Sequence, residues 1–193
     1  MNETVNPKTF PKAYLNIDKA TKDSKFTMAS EVLTCSLLKT LAASKPSGNF
    51  LELGTGTGLS TSWILEGMDE KSTLITVDND EKFLKIAQEH LGEDNRVELV
   101  LADGGEWIRD NSSLRFDYIF ADTWDGKYLM LDEVLLMLRV GGLYIIDDML
   151  PQENWPVGHD AKALKLVEVL ENRPDLVLTK QCWASGIVIA VKR

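Results

Sequence analysis

The feature that most constrains this chain is an alternation. From Asn49 onward, short apolar runs take turns with segments of helical period. "NFLEL" reads as a buried strand and "LSTSWILEGM" as a short helix, then "TLITVD" as a second strand and "EKFLKIAQEHL" as its helix. "RVELVLAD", "FDYIFAD" and "LYIIDD" supply strands three to five, separated by the helical pieces "GEWIRD" and "KYLMLDEVLLMLR". In the second of these, Leu131, Val134, Leu135 and Leu138 align on one face. After the helix "AKALKLVEVLEN", the runs "DLVLTKQCW" and "GIVIAVKR" are separated only by "AS" and read as an antiparallel hairpin. Strands that alternate with helices imply right-handed βαβ crossovers, and hence an α/β fold with a mostly parallel sheet covered on both faces.

Ahead of this body, "FTMASEVLTCSLLKTLAASK" sets Ala29, Val32, Leu33, Ser36, Leu37 and Leu41 on one face. The spacing predicts an N-terminal helix over 26–45, capped by Ser24 or Thr27, behind an arm over 1–25. With no internal repeat or linker, residues 1–193 read as a single domain. The formal charge of −9 comes without any cluster of Lys and Arg, which argues against a nucleic-acid partner. No apolar run is long enough to span a bilayer and the polar N-terminus lacks a signal core, so the expectation is a cytoplasmic protein without a membrane partner. Cys35 and Cys182 stand alone and read as two reduced, buried thiols.

The first strand runs into "GTGTG", with Gly54, Gly56 and Gly58 at every second position. Such glycines let a backbone turn sharply and approach a ligand without a Cβ in the way. The dinucleotide fingerprint spaces its glycines differently, as G-x-G-x-x-G. Glu52, just before the loop, suits a ligand ammonium better than a pyrophosphate. Asp78 ends the second strand, where an acidic side chain accepts hydrogen bonds from ribose hydroxyls. Asp103 and Gly104 follow the third strand, where a loop borders an adenine. A ligand with adenine, ribose and an amino-acid end fits this set better than NAD; an NAD-dependent oxidoreductase stands as the other reading.

"LELGTGTGLST", "TVD", "LADGGEWI", "FDYIFADTW" and "GGLYIIDDML" together resemble the class I S-adenosylmethionine-dependent methyltransferases. Within them the chain is most similar to the small O-methyltransferases related to catechol and caffeoyl-CoA methyltransferases. The resemblance implies a Rossmann-like, seven-stranded sheet of order 3-2-1-4-5-7-6 with strand 7 antiparallel. It implies that Glu52, Gly54, Thr55, Gly56 and Ser60 hold the methionine end of S-adenosylmethionine, and that Asp78 and Asn79 hold its ribose. Asp103 and Gly104 would border the adenine, Trp124 would pack on its ring, and Asp122 would border the cofactor from strand four.

In that order strands four and five are neighbours, and their ends carry Asp122 and the pair Asp147–Asp148. Three carboxylates brought together repel unless a cation joins them or one is protonated. Oxygen donors favour Mg²⁺, Mn²⁺ or Ca²⁺, and metal-dependent members of the family use an Asp and an Asp-Asn pair at these positions. Here the last is Asp148, so a metal-assisted O-methyltransferase and a metal-independent one with another acceptor both stay open. The catechol-type enzymes also place a proton-abstracting lysine where this chain has Asp125, with Lys127 two positions on. His159, in the loop after strand five, is the alternative base, because imidazole titrates near neutral pH; His90 reads as structural. Met28, Trp155, Pro156 and Trp183 would wall the pocket of a small-molecule acceptor. The segment before Thr27 is open to three readings: a lid, the arm of a homodimer, or disorder.

Overall fold

The computed structural model describes residues 4–152 and 155–193; the first three residues of the expected arm lie outside the described residues. A 3-10 turn at Pro7–Thr9 leads into α1 (Tyr14–Ser24) and α2 (Val32–Ala42). The body then runs β1 (Asn49–Leu53), α3 (Leu59–Gly67), β2 (Thr73–Asp78), α4 (Glu81–Leu91), β3 (Val97–Leu101), α5 (Gly104–Asp110) and β4 (Phe116–Ala121). It closes with α6 (Leu131–Met137), β5 (Leu138–Ile146), α7 (His159–Glu171), β6 (Leu176–Gln181) and β7 (Ile187–Lys192). The strands form one sheet of order β3-β2-β1-β4-β5-β7-β6, with β7 antiparallel to both neighbours.

Side chains on a strand alternate between faces, and here both faces are apolar. Phe50, Tyr118, Phe120, Leu143 and Ile145 pack under α1 to α4, against Ile17, Leu38, Ile64 and Leu91. Leu51, Ile119, Ala121, Tyr144 and Ile146 pack under α5 to α7, against Ile108, Val134 and Leu166. The register pairs Leu53 with Ala121 and Ala121 with Ile146. The next residues of these three strands, Gly54, Asp122 and Asp147, are thereby brought to one edge of the sheet.

Several expectations need correction. The arm is not featureless: α1 buries Ile17 and Thr21, an apolar stripe too narrow for the periodicity of a polar segment to reveal. Neither Ser24 nor Thr27 caps the next helix, which begins after Glu31 without a side-chain cap. Residues 26–31 instead form an irregular strap beside the glycine loop. Leu138 leaves the helical stripe to start β5, paired with Phe116. The hairpin turn occupies 182–186, and this puts Cys182 on the surface while Cys35 is buried. Among the described residues no helix is long and apolar enough to cross a membrane.

Candidate functional site

A cavity of about 840 Å³ runs across the carboxyl ends of β1, β2, β4 and β5. Its floor at one end is the glycine loop. Gly54 has φ +106°, and a Cβ there would stand 2.6 Å from the Thr123 methyl and 3.0 Å from the Asp122 carbonyl. Gly56 has φ +51°, and its Cβ would stand 2.9 Å from the Phe26 ring. Phe26, on the strap, is held by Phe83 of α4, with ring centroids 4.5 Å apart. Only bare backbone fits between strap and strand.

Asp78 is fixed by two backbone donors. Gly56 N–H reaches Oδ2 at 2.7 Å and Asp80 N–H reaches Oδ1 at 2.8 Å. A carboxylate offers about four acceptor positions, so Asp78 keeps acceptors free at the cavity wall, where Asn79 also lies. Glu52 is placed otherwise than the resemblance implies. It is fully buried below the loop and does not line the cavity. Its carboxylate accepts hydrogen bonds from Ser60 (2.6 Å), Thr61 (2.5 Å) and Thr76 (2.6 Å), and Thr55 joins Thr76 at 2.6 Å. Burial, only partly offset by these hydroxyls, pushes its carboxyl up to about 7. Glu52 thus braces the loop and Ser60, which does line the cavity.

At the third strand Asp103 caps α5, accepting from Glu106 N–H at 2.9 Å, and leaves the cavity wall to Gly104. Asp125 turns toward the same place: its Cβ lies 3.0 Å from where a Gly104 Cβ would be, and its Oδ1 3.1 Å from where a Gly105 Cβ would be. Burial, then the charge of Asp103, pushes its carboxyl up. The residue standing in for the family lysine thus faces the Gly104 end of the cavity. Trp124 turns the other way, into an aromatic group with Tyr128 (5.4 Å between centroids) and His159 (5.5 Å), under the Lys162 ammonium.

The expected metal ligands each have a different set of partners. Asp122 accepts from Ser30 of the strap at 3.2 Å. Asp147, 1% exposed, is held by Ser185 Oγ (2.5 Å) and by the Asp148 N–H (2.8 Å). Asp148 has left-handed φ (+55°), and its charge acts on Tyr128 and His159. Among the described residues no three His, Cys, Asp or Glu side chains are placed to hold a metal ion. The positive charge is instead a lysine's. Lys127, 4% exposed, donates from Nζ to the Asp147 carbonyl at 2.5 Å. Burial pushes the Asp122 carboxyl well up, with the Lys127 charge opposing it; burial likewise pushes Asp147 up. As placed here, Asp122, Asp147 and Asp148 do not come together as the expected three-ligand site for a divalent ion.

His159 opens α7 directly after Gly158, whose φ of +83° turns the chain inward. Its ring is 4.5 Å from Trp155 and 5.1 Å from Tyr128, whose hydroxyl lies 3.2 Å from Nε2. Nδ1 has no partner among the described residues. Burial, then the charges of Lys127 and Lys162, push the imidazole below its ordinary value, so it is neutral near pH 7. Burial pushes Tyr128 up to about 12 and keeps its hydroxyl protonated. Met28, Trp155 and Pro156 line this end, whereas Trp183 packs on the core beneath α1 to α4. His90 sits in the last turn of α4, away from the cavity lining. Sequence reasoning missed Phe26, Ser30, Tyr128 and Ser185; only Tyr128, beside Lys127, had a neighbour to draw attention to it.

A family model described as a methyltransferase domain matches residues 51–149. An O-methyltransferase of Aspergillus hancockii, hkm8, is 30% identical over 128 residues, which is 63% of this chain and 50% of that protein. The chain thus spans about half the length of the curated relatives it matches. The O-methyltransferase from Bacillus cereus, solved in complex with SAH, superposes with a TM-score of 0.82 at 18% identity, covering 94% of this chain and 90% of that one. The O-methyltransferase TomG from Streptomyces achromogenes, solved with SAM, superposes with a TM-score of 0.79 at 19% identity, covering 94% and 89%. At such identities the superpositions establish the shared fold.

Proposed function

The chain belongs to the methyltransferase-domain family, and from that premise we propose that it moves a methyl group from S-adenosylmethionine to a hydroxyl oxygen of a small-molecule acceptor. One observation carries the reading. A single cavity joins a ribose-type carboxylate and a bare glycine loop at one end to Tyr128 and His159 at the other. The net charge of −9 supports a small acceptor over a nucleic acid.

Methyl transfer from a sulfonium to an oxyanion neutralises charge, so alignment in a dry pocket and loss of the acceptor proton are what the protein must provide. Asp78, Gly56 and Ser60 would position the donor, with Trp155 and Tyr128 excluding water beyond its methyl. The acceptor proton would pass to Tyr128 Oη as Tyr128 passes its own to His159 Nε2, a neutral imidazole able to take it. The oxygen–methyl bond would form as the sulfur–methyl bond breaks, leaving a neutral thioether, and His159 would return its proton to solvent. The Lys127 ammonium, already placed beside Asp122 and Asp147, favours the metal-independent branch.

Calorimetric titration with S-adenosylhomocysteine and with NADH tests the assignment. Saturable binding of the first and no response to the second is expected; tight NADH binding with no response to S-adenosylhomocysteine would overturn it.

A further inference from the structure

Lys127 has a use that its neighbours define. It follows the turn at Gly126 and is brought back under the end of β5, where its Nζ meets the Asp147 carbonyl. An ammonium has three donors, so two remain beyond that bond, and Lys127 lines the cavity. Among the described residues it forms no ion pair within 4 Å, although its charge reaches both Asp122 and Asp147. The cation is therefore held by a backbone carbonyl, with carboxylates around it rather than clamped onto it.

We propose that the Lys127 ammonium takes the place of a divalent cation in this pocket, balancing Asp122 and Asp147 and donating a hydrogen bond to the acceptor oxygen; this rests on the methyl-transfer reading above. Two observations on the surroundings agree. Asp147 Oδ1 is already engaged by Ser185 and the Asp148 N–H, at 2.5 and 2.8 Å, which leaves Oδ2 as its one oxygen open to a cation. A dication entering between Asp122 and Asp147 would also meet the lysine charge at close range, in a part of the protein where repulsion is weakly screened. An ammonium-to-oxyanion hydrogen bond is charge-assisted and about twice as strong as a neutral one. In the reaction Lys127 keeps all its protons: the acceptor proton leaves through Tyr128 to His159, and the oxyanion stays bonded to Nζ–H until the methyl arrives.

The test is Mn²⁺ binding to the full chain saturated with S-adenosylhomocysteine, read by electron paramagnetic resonance, alongside calorimetry of S-adenosylhomocysteine itself. Wild-type protein should hold no Mn²⁺ up to about 1 mM, the weak end of protein sites for hard divalent cations. Lys127→Met removes the charge at nearly constant shape and should gain Mn²⁺ affinity by about tenfold or more; Lys127→Arg keeps the charge and should gain none. S-adenosylhomocysteine affinity unchanged within about twofold reports that each variant is folded. Stoichiometric Mn²⁺ binding by the wild type, or a folded Lys127→Met that gains nothing, overturns the proposal. Should Lys127→Met fail to fold, the wild-type titration decides alone. Wild-type protein that binds no S-adenosylhomocysteine overturns the methyl-transfer reading and this proposal with it, whereas Mn²⁺ binding with that affinity intact overturns only this one.

Discussion

The two ends of the cavity satisfy their polar atoms in opposite ways. At the glycine-loop end the buried groups are met by protein partners, and the half-buried Asp78 alone keeps acceptors toward the cavity. Glu52 has three hydroxyls, Asp78 two backbone N–H groups, Thr55 has Thr76 and Thr57 has Thr21. At the other end capacity is left over: His159 Nδ1 has no partner among the described residues, nor has the Asp148 carboxylate a hydrogen bond, and Lys127 uses one donor of three. A site that binds the same ligand at every turnover gains from fixed geometry. A site that must move a proton needs groups free to change partners, and it keeps them dry with aromatic walls.

The sharpest way to break this comparison is His159→Ala. If the ends work separately, kcat should fall by about 10²–10⁴, the usual range for a lost proton acceptor. S-adenosylhomocysteine affinity should stay within about twofold. Burial and the two lysine charges hold the imidazole below 6.5, so wild-type activity should rise on its acid side below pH 6.5 and be level at pH 7. An equal loss of rate and cofactor affinity would show that the ends share one structure. The next largest effect compares two glycines of similar backbone. Gly54→Val places a side chain on φ +106° and against Thr123 and Asp122, for a destabilisation of about 4 kcal/mol and loss of cofactor binding. A Cβ on Gly158, at φ +83° before His159, would meet nothing within 4 Å among the described residues, so Gly158→Val should cost about 1–2 kcal/mol from backbone strain alone. Urea unfolding separates them, and equal costs would mean that close packing is not what requires Gly54.

The same contrast decides what could be read in advance. β2 and α4 fall where "TLITVD" and "EKFLKIAQEHL" place them, because their signals are local: an apolar run, then Asp80 capping the N–H groups of Lys82 and Phe83. The glycine loop and Asp78 are likewise adjacent strand ends joined by one crossover. The far end is assembled from Ser30, Lys127, Asp148, His159 and Ser185, which no spacing connects. Asp125 and Trp124 are neighbours that point to opposite ends of the cavity, a separation invisible to a motif. Even in the local part, the enclosure of Glu52 by three hydroxyls from α3 and β2 had no signal in the spacing.

That enclosure gives a smaller, pH-dependent effect. A carboxyl raised by burial from 4.5 to about 7 binds its proton more tightly in the folded chain, so its contribution is complete below pH 4.5 and is lost as pH rises through 7. Integrated, the loss is about 3 kcal/mol. Thermal unfolding of cofactor-free Glu52→Gln should show a flatter stability between pH 5 and 8 than the wild type; parallel curves would mean that Glu52 is ionised in the fold at no cost.

The smallest expected effect asks whether α1 belongs to the cofactor end at all. Thr21 donates to the Ile17 carbonyl at 2.7 Å, so the 2.7 Å contact with Thr57 must have Thr57 as its donor. Thr21→Val keeps the shape and removes that acceptor. It leaves the Thr57 hydroxyl, 1% exposed, without its partner, at a cost of about 1–2 kcal/mol. Thr21→Val with Thr57→Val removes both polar groups and should recover most of the loss. S-adenosylhomocysteine affinity should follow the same order, because Thr57 lies between Gly56 and Gly58 and any freedom it gains is passed to the loop. A single variant that loses stability but not affinity would make α1 a support for the core only, and the saturated polar network would then end at Thr57.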